Sequence, residues 1–281
     1  MQIFRNDREI RSLLDEPCAF VPTMGALHEG HLSLLRHASG TGLKPVISIF
    51  LNPTQFAEGE DLDTYPVDLD RDLQLASEAG AEIVFMPDME TMYPEGLERA
   101  TLQAGKVPLP EVATRPRLED AERPHFFGGV CLVVGRLLDM VRPGMAFFGE
   151  KDYQQLRVIT EMVALDPNRF GEMTITGCPT IREPDGLAMS SRNVHLSPDQ
   201  REQALGLSRA LERASHAMRV DEAEQLMRET LLEHELHIEY ATVRNTRTLE
   251  GVNSLDQPCR ALIAARVGDV RLIDNAPIGR T

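Results

Sequence analysis

A doubly wound α/β domain followed by a smaller α+β domain is the fold class that the 281-residue sequence predicts, and three observations carry it. Short, continuous apolar runs recur through the first 180 residues, of the kind that fill parallel strands covered on both faces. Between them lie segments with helical spacing, so the order strand, helix, strand, helix announces a Rossmann-like parallel sheet. After Ser191 the character changes to long polar helices and then alternating strands.

Taken in order, residues 5–14 are expected to form a short amphipathic helix with Ile10, Leu13 and Leu14 on one side. Residues 19–22 read as a brief buried strand and 29–39 as a helix. The run PVISIFL at 45–51 is a buried strand stopped by Asn52-Pro53. Residues 69–79 return to helical spacing, and 82–86 are a further short strand. The stretch 102–124 carries Pro108, Pro110, Pro116 and Pro124 among Arg115, Arg117 and Arg123, which is too interrupted for a helix. It reads as a surface loop, or as a mobile flap bringing positive charge over an anionic ligand. Residues 130–141 are helical, 145–148 a strand, 153–165 a helix and 174–176 the last strand of the first domain, so the expected domains are 1–177 and 178–281. Ser197, Pro198 and Gln200 form an N-cap, an N1 proline and a capping-box partner. One long helix to about 218 should follow, then a helix over 222–234 and strands at 238–243, 260–267 and 270–274.

Twenty-nine Lys and Arg against 44 Asp and Glu give a net charge of −15, which disfavours nucleic acid or an anionic membrane as the main partner. Any anion site must then be a local pocket. Cys18, Cys131, Cys178 and Cys259 lie far apart and form no C-x-x-C, which fits a reducing cytosol. The N-terminal MQIFRNDREI has charges where a signal peptide needs an apolar core, and the best apolar run, at 130–141, is broken by Arg136 and Asp139. A cytoplasmic protein of enzyme size is the expectation.

In a doubly wound sheet, ligands sit outside the carboxyl ends of the strands, so the residues after each apolar run carry the chemistry. After the first comes PTMGALHEGH, a strand end, a glycine-bearing turn and a helix start. His28 and His31 would share one face at the helix N-terminus, where free N–H groups and the macrodipole favour phosphate, and Gly25 and Gly30 lack the Cβ that would hinder its approach. The pair could donate charged hydrogen bonds there. Either histidine could equally be a cap or a surface residue, and Gly-x-x-x-x-Gly without a following Lys is not a P-loop. Zinc is a further alternative, although no cysteine or acidic motif nearby completes a four-ligand site. After PVISIFL come the uncharged amides of Asn52 and Gln55 around Pro53, Thr54 and Phe56. After residues 145–148 comes Gly149-Glu150-Lys151-Asp152-Tyr153-Gln154-Gln155, a glycine turn entering a helix with a lysine. Turn chemistry and a solvated helix start explain these last two clusters separately; their shared place at successive strand ends points to one crevice. A fourth element, GLAMSSRN at 186–193, offers two hydroxyls and an arginine suited to a triphosphate, or an exposed hinge.

PTMGALHEGH, FLNPTQF, FFGEKDYQQL and GLAMSSRN, in this order and over nearly the full chain, resemble the pantothenate synthetase (pantoate–β-alanine ligase) family. Within the wider group of nucleotidyltransferase-like folds, His28-Glu29-Gly30-His31 resembles the HIGH-type signature, and Met189-Ser190-Ser191-Arg192 resembles the KMSKS-type loop. The resemblance implies condensation of (R)-pantoate with β-alanine through a pantoyl adenylate, with ATP as substrate, Mg²⁺ on the triphosphate, and AMP and pyrophosphate released. It further implies that Met24, Gly25, Ala26, Leu27, His28, Glu29, Gly30 and His31 cradle ATP, with His31 as the acid at the phosphates. Gly149, Glu150, Lys151 and Asp152 would contact ATP through the ribose, with Lys151 toward phosphate. Ile181 would flank the adenine, and Met189, Ser190, Ser191 and Arg192 would close over the triphosphate. Gln55 and Gln155 would hold pantoate, Gln55 also lying near β-alanine. His28, His31, Lys151 and Arg192 are then the catalytic set, and a homodimer is the implied assembly.

The chain departs from the family pattern at Thr54, where many members have Met, at Arg136, where Lys is usual, and in an irregular connection at 166–171. Two other classes stay open. A nucleotidyltransferase of the same fold would leave the nucleotide on its product, and the Asn52 and Gly149 clusters argue against it. A non-catalytic scaffold would not need four polar motifs. No nucleophile triad is legible, since G-x-S-x-G is absent and Ser190 and Ser191 lack His-Asp partners at interpretable spacing.

Overall fold

The computed structural model describes residues 1–11, 16–57, 59–60 and 62–279. Their contacts divide into two compact units, the first comprising Met1–Thr114, Glu119–Glu150 and Gln155–Pro179, the second Arg115–Leu118, Lys151–Gln154 and Thr180–Thr281.

In chain order the first unit contains β1 (Gln2–Phe4), α1 (Asp7–Arg11), β2 (Cys18–Thr23), α2 (Glu29–Ser39), β3 (Lys44–Ile49), α3 (Leu69–Glu78), β4 (Ile83–Phe85), α4 (Met89–Met92), α5 (Leu97–Ala104), α6 (Glu119–Glu122), α7 (Phe126–Val141), β5 (Met145–Gly149), α8 (Tyr153–Leu165, whose Tyr153 and Gln154 group with the second unit), α9 (Pro167–Phe170) and β6 (Thr174–Cys178). The strands form one six-stranded sheet in the order β1-β4-β3-β2-β5-β6, and every pairing in it is parallel. The winding direction therefore reverses between β2 and β5, which is the topological switch point where an open α/β sheet leaves a crevice at its carboxyl edge. β3, β2 and β5 are consecutive neighbours there, so the segments after them emerge side by side. Phe20, Val21, Val46, Ile47 and Ala146 are fully buried, as strands covered on both faces require.

The path of α7 fixes the turn after β3. Two positions near its start have no room for a side chain: a Cβ on Gly129 would stand 2.3 Å from the Thr54 carbonyl oxygen, and one on Gly128 the same distance from the Ala104 carbonyl oxygen. Backbone packs on backbone, and the 3₁₀ turn Pro53–Gln55 is pinned against the helix.

The second unit adds α10 (Pro198–Ala204), α11 (Gly206–Ala214), α12 (Val220–Glu233) and a three-stranded antiparallel sheet of β7 (His237–Asn245), β8 (Cys259–Val267) and β9 (Val270–Ile278) in sequential order. Ala210, Ala214, Ala223, Met227, Leu231, Ala241, Ile263 and Ala265 make its core. Ser197 caps α10 through the reciprocal bonds expected of it, accepting from Gln200 N at 3.2 Å while Gln200 Oε1 accepts from Ser197 N at 3.0 Å.

Three expectations need correction, and a fourth cannot be followed throughout. The helix beginning at Pro198 is two helices broken at Leu205 and ending at Ala214; the break lets Gly206 approach His234, whose Cβ would lie 2.7 Å from a Cβ placed there. The proline-rich stretch 102–124 is not simply a loop: it takes in the end of α5, the 3₁₀ turn Glu111–Ala113 and α6, because prolines tolerated at a first turn separate short helices and do not forbid them. β1 went unforeseen. Among the described residues it pairs only with β4, at the sheet edge, and with three residues it is too short for a period to show. The helix expected at 5–14 is present as α1 with Ile10 buried; Leu13 and Leu14 lie outside the described residues.

Candidate active site

The residues after β2 form a tight bend with two successive left-handed positions, Gly25 (φ 91°) and Ala26 (φ 51°). Left-handed backbone is costly for Ala, so something must hold it. That something is Asp72 on α3, which is 2% exposed and accepts the N–H of Ala26 at 2.8 Å and of Leu27 at 2.7 Å. Burial raises the Asp72 carboxyl above the usual aspartate range, and the N–H groups of Leu27 and Ala26 pull it back in part. A Cβ on Gly25 would meet Asp72 Oδ2 at 3.0 Å, so glycine is needed there for space as well as for φ.

α2 then begins with a capping box built from two imidazoles. His28 is the N-cap, and its Nδ1 accepts from Gly30 N at 3.1 Å. His31 at N3 reaches back, its Nδ1 accepting from His28 N at 3.4 Å, and the ring centroids lie 4.1 Å apart. An Nδ1 that accepts an N–H carries no proton, so this capping arrangement leaves Nε2 as the donor nitrogen of each ring. One expectation changes here. The N–H groups of His28 and Gly30 are occupied by side chains and are not free for phosphate. Glu29 pairs with Arg36 along the helix surface, and this ion pair holds its carboxyl below the ordinary glutamate range.

After β3 a buried polar cluster replaces the strand. Asn52, 1% exposed, accepts at Oδ1 from Tyr93 Oη (2.6 Å), Thr54 Oγ1 (2.9 Å) and Thr54 N (3.2 Å). Its Nδ2 donates to Gln55 Oε1 at 3.0 Å and to the Gly129 carbonyl at 3.3 Å. With its oxygen occupied in this way, Gln55 has its NH₂ left to donate elsewhere, and Nε2 donates to Met24 Sδ at 2.9 Å. The turns after β2 and β3 therefore touch directly. Gln155 is partly buried in the first turn of α8. Gly149 ends β5 opposite Cys178.

In the second unit, residues 181–189 fold back on themselves: Arg182 bridges Ala188, Met189 N donates to the Ile181 carbonyl at 2.9 Å, and Glu183 N donates to that of Leu187 at 2.8 Å. Arg201 pairs with Glu183 and Asp185 at the tip. Ser190 caps the 3₁₀ turn Ser191–His195, its Oγ accepting from Arg192 N at 3.3 Å, and Asn193 Nδ2 donates to Glu183 Oε1 at 2.7 Å and to the Ala188 carbonyl. Lys151 lies 3.7 Å from Asp152. Among the described residues no group of three His, Cys, Asp or Glu side chains is arranged to hold a metal ion, and no helix is long and apolar enough to cross a membrane.

The family model for pantoate-beta-alanine ligase matches residues 2–277. This chain belongs to the pantoate–β-alanine ligase family. The pantothenate synthetase of Rubrobacter xylanophilus is 46% identical over 295 residues, covering 98% of each chain, and that of Nitrobacter winogradskyi 48% identical over 92% of this chain and 89% of its own. The crystal structure of pantothenate synthetase from Thermus thermophilus superposes with a TM-score of 0.90 at 39% identity and full coverage of both chains. A Francisella tularensis pantoate-beta-alanine ligase, complexed with beta-gamma ATP and β-alanine, gives a TM-score of 0.77 at 32% identity, covering 98% of this chain and 97% of its own.

The positions expected to depart from the family pattern have a structural account. Thr54 is buried, and its hydroxyl helps hold Asn52 in place. Arg136 is taken up by Glu95, the Gln103 amide oxygen and the Met92 carbonyl, with its guanidinium 5.0 Å above the Tyr93 ring; it serves as a brace between α7 and the α4–α5 region. Residues 166–171 form the single helical turn α9, capped by Asp166. In the stretch read as a possible flap, Arg123 pairs with Glu60 at 2.6 Å and also donates to the Gln55 carbonyl. Sequence reasoning missed Asp72, Tyr93, Asp274 and Asn275. Asp72 had a signal: with Ala76 it falls on the buried face of α3, where a carboxylate needs a partner.

Proposed function

We propose that this chain joins (R)-pantoate to β-alanine at the expense of ATP, forming pantothenate through a pantoyl adenylate and releasing AMP and pyrophosphate. The observation that carries the reading is the contact between two unlike turns at the sheet's switch point, a paired-histidine helix start on one and a neutral amide cluster on the other. Membership of the ligase family and a relative's complex with beta-gamma ATP and β-alanine support it.

A carboxylate is a poor acyl donor because oxide would have to leave. Attack of a pantoate carboxylate oxygen on the α-phosphorus forms the acyl phosphate bond and expels pyrophosphate. The β-alanine nitrogen then attacks the acyl carbon, AMP leaves with that oxygen, and the nitrogen loses a proton to solvent. Neither step needs a covalent enzyme nucleophile, so the protein contributes position and field. Gln55 and Gln155 orient pantoate through uncharged amides, which align its carboxylate without an ion pair that would blunt its attack. The Nε2–H groups of His28 and His31, with Lys151 and Arg192, meet the charge that grows on the phosphates. Gly149, Glu150, Asp152, Ile181, Met189, Ser190 and Ser191 complete the nucleotide contacts, with Met24 and Gly25 at the turn. The N–H groups of Ala26 and Leu27 are held by Asp72, so Ala26 meets ATP through its other atoms, while Leu27, whose side chain is fully buried in the core, backs the turn. Mg²⁺ enters on the triphosphate oxygens as part of the nucleotide substrate, in keeping with its preference for phosphate and water ligands. The enzyme acts as a cytoplasmic homodimer.

The test is isotopic. With pantoate present and β-alanine absent, labelled pyrophosphate should exchange into ATP, and oxygen-18 from the pantoate carboxylate should appear in AMP after a full turnover. Exchange that required β-alanine, or label found in inorganic phosphate beside ADP, would refute the adenylate route.

A further inference from the structure

Two adjacent buried residues on β9, Asp274 and Asn275, are 2% and 3% exposed, and they bind separate segments of the second unit. Asp274 takes both terminal nitrogens of Arg182, Nη1 at 2.7 Å and Nη2 at 3.0 Å. Arg182 in turn donates to the Gly186 carbonyl at 3.1 Å, so this carboxylate anchors the folded-back segment that runs from Ile181 to Met189 and leads into Ser190, Ser191 and Arg192. Asn275 Nδ2 donates to the main-chain carbonyl of Lys151 at 2.7 Å. Its Oδ1 accepts from Arg260 Nε at 2.5 Å, and the Arg260 guanidinium lies 3.9 Å over the ring of Tyr153, whose hydroxyl donates to the Thr246 carbonyl at 2.9 Å. The amide orientation of Asn275 is thus determined: oxygen to arginine, nitrogen to Lys151. The two residues are also bonded to each other, Asn275 N donating to Asp274 Oδ1 at 2.8 Å.

We propose that Asp274 and Asn275 are positioning residues for the nucleotide, holding the Lys151 segment and the Ile181–Arg192 segment in one fixed spacing so that ATP meets both at once. The proposal rests on the assignment of these two segments to ATP. A β-strand is a stiff mount, and successive residues on it fix two partners to within the tolerance of a hydrogen bond, which is what a preorganised site demands. Stability alone does not call for the arrangement, because well-packed apolar side chains serve a buried sheet position as well as a buried ion pair does. Here the bonds just described lead to segments assigned to the nucleotide, directly or through Arg260 and Tyr153.

Asn275→Asp keeps an acceptor for Arg260 and removes the donor to the Lys151 carbonyl. It should raise KM for ATP about tenfold, the scale of one lost buried hydrogen bond, while KM for pantoate and for β-alanine stays within twofold. Asp274→Asn should do the same through Arg182, and the double variant should cost less than the product of the two, because both changes loosen one mount. Leu231→Val, in the core of the same unit but touching neither segment, serves as the control: it should lower Tm without moving KM for ATP. Arg182→Lys, which leaves β9 intact, reads the same effect from the partner side if a β9 variant does not fold. Unchanged ATP affinity by calorimetry in a folded Asn275→Asp or Arg182→Lys protein, or equal rises in all three KM values, overturns the proposal. Wild-type protein that bound no ATP would overturn the functional reading with it, whereas wild type that binds ATP beside variants that bind equally well would overturn this role alone.

Discussion

Replacing Asp72 by Asn tests whether the turn proposed to meet the nucleotide is held in place by this carboxylate. The carboxylate accepts two backbone N–H groups, from Ala26 and Leu27, at 2.8 and 2.7 Å. Asparagine can keep one of these through its single oxygen; the other N–H then faces an NH₂ group and goes unsatisfied. That loss is about 1.5–3 kcal/mol. Against it stands the burial penalty of the charge, evident in the raised carboxyl of Asp72, which the neutral amide no longer bears. Global stability should therefore change little, with Tm within about 4 °C, a span worth roughly 1–2 kcal/mol in a domain of this size. The turn itself, with its two left-handed residues, is no longer held in one conformation. If the 1.5–3 kcal/mol falls on positioning of the reacting phosphate, kcat/KM for ATP should drop roughly 10- to 100-fold. Steady-state kinetics beside calorimetric unfolding would separate the two effects. Activity within threefold of wild type, or a loss of activity that merely follows a collapse in Tm, would refute the reasoning.

Changing either Gln55 or Gln155 to Ala should raise KM for pantoate, about tenfold for one missing hydrogen bond, and leave ATP affinity by calorimetry nearly unchanged; equal weakening of ATP binding would mean that the amides do not face the acid. The Glu60 carboxyl is pushed up by burial but pulled further down by the hydrogen bonds and charge of Arg123, and its net position is below the ordinary glutamate range. A depressed carboxyl stabilises the fold above its unfolded pKa and loses that contribution as pH falls through the folded value, so Arg123→Ala should flatten the fall of Tm on acidification. Asp72 acts with the opposite sign, since a raised carboxyl favours the fold at low pH and loses this contribution as pH rises. An unchanged Tm–pH curve in Arg123→Ala would refute the pairing.

Much of the sheet was legible because buried parallel strands leave short apolar runs that need no alternation to be seen, as at Val46 and Ile47. α2, with the bounds Glu29–Ser39, was equally clear, since its glycine-bearing approach and its apolar spacing agree. What stayed hidden was whatever depends on a partner distant in sequence. Asp72 stands 46 residues from Ala26 and is flanked by charges that make it look solvated, while Tyr93 reaches Asn52 across 41 residues. Asn275 meets Lys151 across 124 residues. The break at Leu205 was illegible for a related reason, because the helical period continues through it and only the approach of His234 to Gly206 requires it. For the candidate site, the same division separates residues proposed to face a ligand, which sit in recognisable runs, from residues that hold those runs, which do not.

The two histidines raise a question that deletion cannot answer, because each ring is both a cap and a candidate donor. His28→Ala would remove an N-cap, itself worth about 1 kcal/mol, so a loss of activity would be ambiguous. An ordinary capping box offers a way out, since Ser at the N-cap and Gln at N3 satisfy the N–H groups of N3 and of the N-cap itself, and this chain already uses that pair at Ser197 and Gln200. In the double variant His28→Ser/His31→Gln the start of α2 should stay capped, so Tm should hold within a few degrees. The imidazole Nε2–H donors would be gone. Removing a single preorganised donor to a developing oxyanion costs about 10²–10³ in rate, and two acting on the same charge should cost at least about 10³ in kcat. ATP binding, read by calorimetry, should weaken far less, because charge at the α-phosphate grows mainly after binding. If the variant kept a tenth or more of wild-type kcat, the histidines would be caps and nothing more, and the stabilisation of the phosphates would have to come from Lys151 and Arg192.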